Sequence, residues 1–321
     1  MRPVRALVAF LLLSVGLWSP SSSSAVPHPL APDCSIFPDD NVWHSKVTGL
    51  PVHRRSKQWI RAMGGKRQLL HPDFGPSDDP DHPYGIAYNI VDGTYPKQTV
   101  DFSYADESDP GPYPVGADTH VEHGSDRHAL VIDRDACMLY EILDFDWNGG
   151  DPRGGSGAVW DLASNALRPR TWTSADAAGL PIFAGLIRRD EIAAGVIDHA
   201  IRVTASETDQ KFIWPARHQA GARRDSKLPP MGARFRLKKR FPMARFHQET
   251  RIVLRAMKRY GLIVADNGSN WYFGGAEDVG WPPEVLDELK SIPAGAFEAV
   301  ATGRMKVSGD SANVKPRYVG V

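Results

Sequence analysis

Apolar positions in this chain come in short bursts, and their spacing changes character along its length. The first burst, Ala6 to Trp18, is nearly continuous, follows Arg2 and Arg5, and precedes the small residues Ser23-Ser24-Ala25. That layout predicts a secretory signal peptide over residues 1–25, with a run too short to span a bilayer. No cysteine stands at a lipidation position after it, and there is no twin arginine and no second long apolar segment. The mature chain is therefore expected to be secreted and extracellular, with no membrane span.

Beyond it the bursts are brief and β-prone, separated by Gly-, Pro- and Asp-rich turns, as in residues 72–85 and 106–118. Strands are expected at residues 86–91, 99–104 and 157–162, and again at 233–237, 262–265 and 271–273. The clearest signal pairs residues 128–133 with 136–143 around Arg134-Asp135, a β-hairpin. An even-length turn there makes residues whose numbers sum to 269 face each other. Leu130 then opposes Leu139, Ile132 opposes Cys137 and His128 opposes Glu141, on one face; Tyr140 points to the other. Residues 197–203 and 211–214 read as a second hairpin.

Helical spacing is rarer. Residues 248–260 carry the apolar stripe Ile252, Val253, Ala256, Met257 and Tyr260, closed by Gly261. Shorter helices are expected at 56–63, 189–194 and 282–290, with a helical start at 174–178. The polar tail from Thr302 to Val321 is expected to fray. Many short strands with few helices predict a mainly β fold, an antiparallel β-sandwich or jelly-roll-like core with appended helices, as one domain over residues 26–301.

Composition sharpens this. The chain has 38 basic and 38 acidic residues, and the signal peptide holds two of the former. A balanced chain has no overall electrostatic footprint for nucleic acid or for an anionic membrane surface. Roughly 295 mature residues can bury a large core. The two cysteines, Cys34 and Cys137, predict one disulfide in an oxidising compartment, with a pair of buried free thiols as the alternative. Closing a loop of roughly 100 residues contributes up to about 4–5 kcal/mol in the chain-entropy model.

Several constellations could carry chemistry. His128 across from Glu141 would form a base tuned by a carboxylate; the plainer alternative is a structural cross-strand pair. Trp214-Pro-Ala-Arg217-His218 ends a strand in a forked cation and an imidazole, a set that could hold a uronic acid. Asp144-Phe-Asp146-Trp-Asn148-Gly149 matches the first half of a calcium loop, but Gly155 stands where a bidentate Glu belongs. A structural calcium there would need a ligand from elsewhere, and no cofactor is required. His120, His123 and His128 with Glu122 and Asp126 are dense enough for zinc, yet their spacing fits no common signature. Gly154-Gly-Ser156-Gly-Ala158 resembles a nucleophile elbow but lacks its strand–turn–helix setting, which argues against a serine hydrolase.

Tryptophans recur beside Asp, Asn or Gly, as in Trp160-Asp161 and Asn270-Trp271. Indole faces stack on sugar rings and carboxylates bind hydroxyls, so Trp160, Trp214 and Trp271, with Asp266 and Asn267, are candidate substrate contacts; tryptophan is also a common core residue.

From Ser35 to about Phe273 the chain resembles a group of secreted bacterial proteins common in actinobacteria. The resemblance rests on Ser125-Asp-Arg-His128, Gly157-Ala-Val-Trp160-Asp161, Trp214-Pro-Ala-Arg-His218 and Lys258-Arg-Tyr-Gly261 through Asp266-Asn-Gly268. It implies secretion and carries no activity.

These features together lead to an expected carbohydrate-active enzyme, a glycoside hydrolase or polysaccharide lyase acting on an extracellular polysaccharide or cell-wall glycan. In a hydrolase Glu141 and Asp161 would be the two carboxylates. In a lyase His128 or His218 would remove the proton while Arg217 neutralises a uronate. The alternatives are a non-catalytic polysaccharide-binding protein and a purely structural envelope protein; substrate and oligomeric state are left open.

Overall fold

The computed structural model describes residues 28–320, so the expected signal peptide lies outside the described residues. In chain order the first strands are β1 (His71–Asp73), β2 (Tyr88–Val91), β3 (Asp101–Phe102), β4 (Ala129–Asp133), β5 (Met138–Ile142) and β6 (Arg153–Gly154). They are followed by β7 (Gly157–Asp161), β8 (Ile201–Ala205), β9 (Arg234–Leu237), β10 (Leu262–Asn267), β11 (Tyr272–Gly274) and β12 (Phe297–Val300). Four α-helices accompany them: α1 (Ser56–Ala62), α2 (Arg189–Ala194), α3 (Gln248–Arg259) and α4 (Pro283–Lys290).

The mainly β expectation holds. A six-stranded sheet runs β1-β11-β8-β10-β9-β12, a four-stranded sheet β2-β4-β5-β7, and β3 pairs with β6 alone. The strands are not purely antiparallel, however. β1 runs parallel to β11, β8 to β10, and β2 to β4. Parallel neighbours need long connections, and here β1 and β11 lie about 200 residues apart, beyond the reach of any local pattern.

The period-two alternation of β4 explains how both of its faces are covered. Leu130 and Ile132 join the main core, whereas Ala129 and Val131 join a second cluster with Phe102, Tyr113, Val115 and Phe145. The β4–β5 hairpin forms, but its register sums to 271: Leu130 faces Glu141 and Ile132 faces Leu139. The turn is longer than expected because the Asp133 carboxylate accepts the backbone N–H groups of Asp135 and Ala136. Cys137 is also drawn out of the strand, with φ of 50°, into a disulfide with Cys34. A shift of two keeps every side chain on its expected face.

Three expectations are corrected. Residues 197–203 do not pair with 211–214: β8 lies between β10 and β11, and Phe212 makes only an isolated bridge to Met231. Residues 174–178 form a turn and no helix, since Ser174 Oγ accepts the Asp176 N–H and donates to the Leu180 carbonyl. The segment after Thr302 is docked, with Met305, Ala312 and Val314 buried and Ala312 N–H bonded to the Asn165 carbonyl.

The segment at residues 42–45 is tied to the larger sheet from inside. Arg234 on β9 is fully buried and donates to the carbonyls of Val42, Ser45 and Tyr260 and to Ser45 Oγ. Among the described residues no helix is long and apolar enough to cross a membrane.

Candidate functional site

A cleft of about 350 Å³ opens where the larger sheet meets the start of β4. Its floor comes from the sheet. In β10 the apolar run Leu262-Ile-Val-Ala265 is buried, and the pairing with β8 shifts register between Val264 and Asp266. A bulge at that point re-aims the following side chains, and Asp266 and Asn267 line the cleft. From β8, Arg202 rises beneath them. Its guanidinium grips the fully buried Asp176 with Nε 3.0 Å and a second nitrogen 2.5 Å from the two carboxylate oxygens, and lies 3.7 Å from Asp266.

The opposite wall is the loop leading into β4. His128 is buried, and its Nδ1 lies 2.5 Å from Glu122 Oε2 while Nε2 lies 3.3 Å from the Ala175 carbonyl. Both neighbours are acceptors, so the ring is placed to donate from both nitrogens as an imidazolium. Burial alone would lower its pKa, but the Glu122 carboxylate outweighs this and holds it above the ordinary value. Burial likewise opposes ionisation of Glu122, and the hydrogen bond and charge of His128 win, keeping its pKa below the usual range. Among the described residues nothing donates to Glu122 Oε1, and the side chain is 17% exposed on the cleft.

Asp266 behaves oppositely. Burial and the neighbouring Asp176 carboxylate push its pKa up to about 7, against the pull of Arg202. Its side chain is 22% exposed, enough to meet a ligand. Asp73 from β1 is also held above its usual range by burial. Tyr84, Ser125, Asp126, Thr204 and Tyr272 complete a polar rim. The cleft thus sets a carboxyl that keeps its proton near neutrality against a carboxylate that loses it early, the pairing required for acid–base work.

Of the sequence candidates, the structure brings His128, Asp266 and Asn267 into this cleft, together with Glu122, His123 and Asp126 from the cluster read as a possible zinc set. Glu141 is elsewhere: it is fully buried, and its two oxygens accept the N–H groups of Ile182 and Phe183, both at 2.9 Å. It anchors a loop to β5 and meets no ligand. Asp161 is exposed at the end of β7 and accepts the Ala163 N–H. Arg217 is buried against the Gly309 carbonyl and Asp310, and His218 donates to the Ala177 carbonyl, so this pair does not reach the cleft. Trp271 and Trp160 are core residues, and the Trp214 indole N–H is bound to the Ser311 carbonyl.

Neither metal set is assembled as ligands, although Glu122, His123, Asp126 and His128 of the zinc candidates all line the cleft. Asp146 Oδ1 takes the Asn148 N–H and lies 3.5 Å from Arg127, and Asp144 is exposed at φ of 50°. His120 meets Glu277 at 3.4 Å, and His123 packs on His82. Among the described residues no three His, Cys, Asp or Glu side chains converge as metal ligands. Ser156 is buried with its hydroxyl on the Ser174 carbonyl.

Sequence reasoning missed Asp73, Arg202 and Asp176. The available signal was Arg202 itself, a lone cation inside the apolar strand Ile201-Arg202-Val203. A charge there must be buried and paired.

Glu141 supports one stability prediction. Burial raises its pKa from an ordinary 4.5 to about 7 in the folded chain. Folded protein therefore binds more protons than unfolded protein between these values, and stability falls as pH rises through that window. The slope corresponds to at most about 3 kcal/mol. Glu141→Gln is expected to abolish this part of the slope and to destabilise by about 1–3 kcal/mol, because the amide can accept only one of the two N–H groups. Urea titrations at several pH values on both proteins check this.

Comparison of the chain with protein-family models, curated proteins and solved structures finds no match.

Proposed function

We propose that the protein is a secreted glycoside hydrolase acting on an extracellular polysaccharide, with Asp266 as the general acid and Glu122 as its partner carboxylate. The observation that carries this reading is the shared cleft lined by both carboxyl groups, the pKa of Asp266 being held above and that of Glu122 below the ordinary range. Asp266 gives its proton to the glycosidic oxygen as the bond from that oxygen to the anomeric carbon breaks. Glu122, ionised and oriented by His128, either takes a proton from the attacking water or attacks the anomeric carbon itself. Tyr84 and Ser125 offer hydrogen bonds to sugar hydroxyls from the walls, while the Asn267 amide is held by the Thr208 hydroxyl and the Ala220 carbonyl and shapes the floor. The disulfide supports an oxidising destination, as does the resemblance to secreted bacterial proteins.

The hydrolase is favoured over the lyase because Arg217 and His218 lie away from the cleft. Arg202 is committed to Asp176, and the carboxylates of Asp73, Glu122 and Asp126 would repel a uronate. A flat binding platform is disfavoured too, since Trp43, Trp59, Trp160, Trp271 and Trp281 are all buried.

The test is incubation with a panel of neutral, amino-sugar and uronate-containing polysaccharides, following new reducing ends and the ultraviolet absorbance of unsaturated products. Reducing ends without absorbance support the hydrolase. Absorbance indicates a lyase, and saturable binding without product indicates a binding protein. Where turnover is found, its pH profile should fall above about pH 7 as Asp266 loses its proton, roughly tenfold per unit in kcat/KM. A rate that stays flat to pH 9 would remove Asp266 from the acid role.

A further inference from the structure

A second concavity lies away from the cleft, along α1. This groove of about 860 Å³ is lined by Arg54, Lys57 and Arg61 on one wall, and by Lys66 and Lys238 on the other. All five side chains are exposed. Among the described residues Arg54, Lys57, Arg61 and Lys66 enter no ion pair, and Lys238 reaches only the Gly295 carbonyl. The one acid on the lining, Glu298, is held by Arg236 at 2.8 Å. A chain with equal numbers of acids and bases has thus gathered five uncompensated cations in one groove. Like charges this close repel, and a bound polyanion relieves that repulsion while releasing its counterions.

We propose that this groove docks an acidic polysaccharide, one whose carboxylates recur along an extended chain. Lys57 and Arg61 stand one turn apart on α1, about 5–6 Å between neighbours, comparable with the rise per sugar of an extended glycan, and Arg54 extends the row from the turn before the helix. Between them Val52, 51% exposed, and the lysine and arginine stems give an apolar floor suited to the C–H faces of sugar rings. A nucleic acid is the less suitable polyanion because the groove offers no stacking platform. Trp59 and Phe297 are buried, and the His53 ring is already stacked on Trp59 with centroids 4.2 Å apart. The proposal is independent of the chemistry assigned to the cleft.

Isothermal titration of the full chain with polygalacturonate, neutral dextran and an oligothymidylate of matched charge tests it. Polygalacturonate should bind, dextran should not, and affinity should drop steeply between about 50 and 200 mM salt. Lys57→Glu with Arg61→Glu should weaken binding by about tenfold or more; both side chains are exposed, so Ser56, Trp59 and Ile60 stay packed. Lys66→Glu on the opposite wall gives an independent reading should the double variant lose its fold. Arg153→Glu, on β6, should leave binding unchanged. Absence of polygalacturonate binding, equal or tighter binding of the oligothymidylate, or indifference to charge reversal in the groove would overturn the proposal.

Discussion

Asp266→Asn is expected to lower turnover of a responsive glycan by about 100- to 10,000-fold while leaving the fold intact. Asparagine keeps the shape at the bulge and removes the proton that the leaving group needs. It also removes the carboxyl that crowds Asp176, so thermal stability should stay level or rise. The informative control is an aryl glycoside whose leaving group departs without protonation. On that substrate the variant should recover most of the lost rate. A uniform loss on both substrates would mean that Asp266 holds structure and does not donate. Glu122→Gln should behave differently, losing rate whatever the leaving group, because the ionised oxygen is needed in either substrate.

The second large effect is on stability. Arg202→Met leaves Asp176, fully buried, without its cation, and should cost about 3–5 kcal/mol, on the order of ten degrees in Tm. Adding Asp176→Leu should restore much of the loss, since two apolar groups need no pairing. If the two losses simply add, the pair is not the coupled unit the geometry indicates. The double variant also has a kinetic signature. Without the Asp176 carboxylate and the buried guanidinium, Asp266 loses both its main charged neighbours, so any alkaline limb of the pH profile should move.

How far these residues could be read from the chain follows from the range of the forces involved. The faces of β4 and β5 were legible because alternation is a nearest-neighbour property, and Leu130, Ile132 and Leu139 lie in the core as expected. The register was not, because it depended on Asp133 capping its own turn and on a disulfide partner 103 residues away. Asp266 and Asn267 stood out as polar neighbours of the tryptophans, and they line the cleft. Glu141 stood out as the carboxylate expected across from His128, but backbone N–H groups from a distant loop satisfy it. Local pattern cannot tell a buried carboxylate that is satisfied from one that is poised. The tryptophans misled in the same way: Trp271 beside Asn270 is a core residue whose indole N–H bonds the Met63 carbonyl. The parallel pairings left no mark at all, since each strand finds its neighbour across a long connection.

Those pairings constrain how the chain can be made. Among the described residues β1, at residues 71–73, has its only strand partner at residues 272–274, and β9 waits for β12 at residue 297. The larger sheet therefore cannot close while the last tenth of the polypeptide is still missing. Contacts this remote in sequence are slow to form, because loop closure must be met before any of them contributes. The four-stranded sheet, built within residues 88–161, does not wait for the C-terminal end, so completion of the larger sheet is the late step, set by the arrival of β12. Shortening the protein from that end by as little as β12 should leave the edge of β9 bare and produce aggregation, with no smaller stable fold in its place.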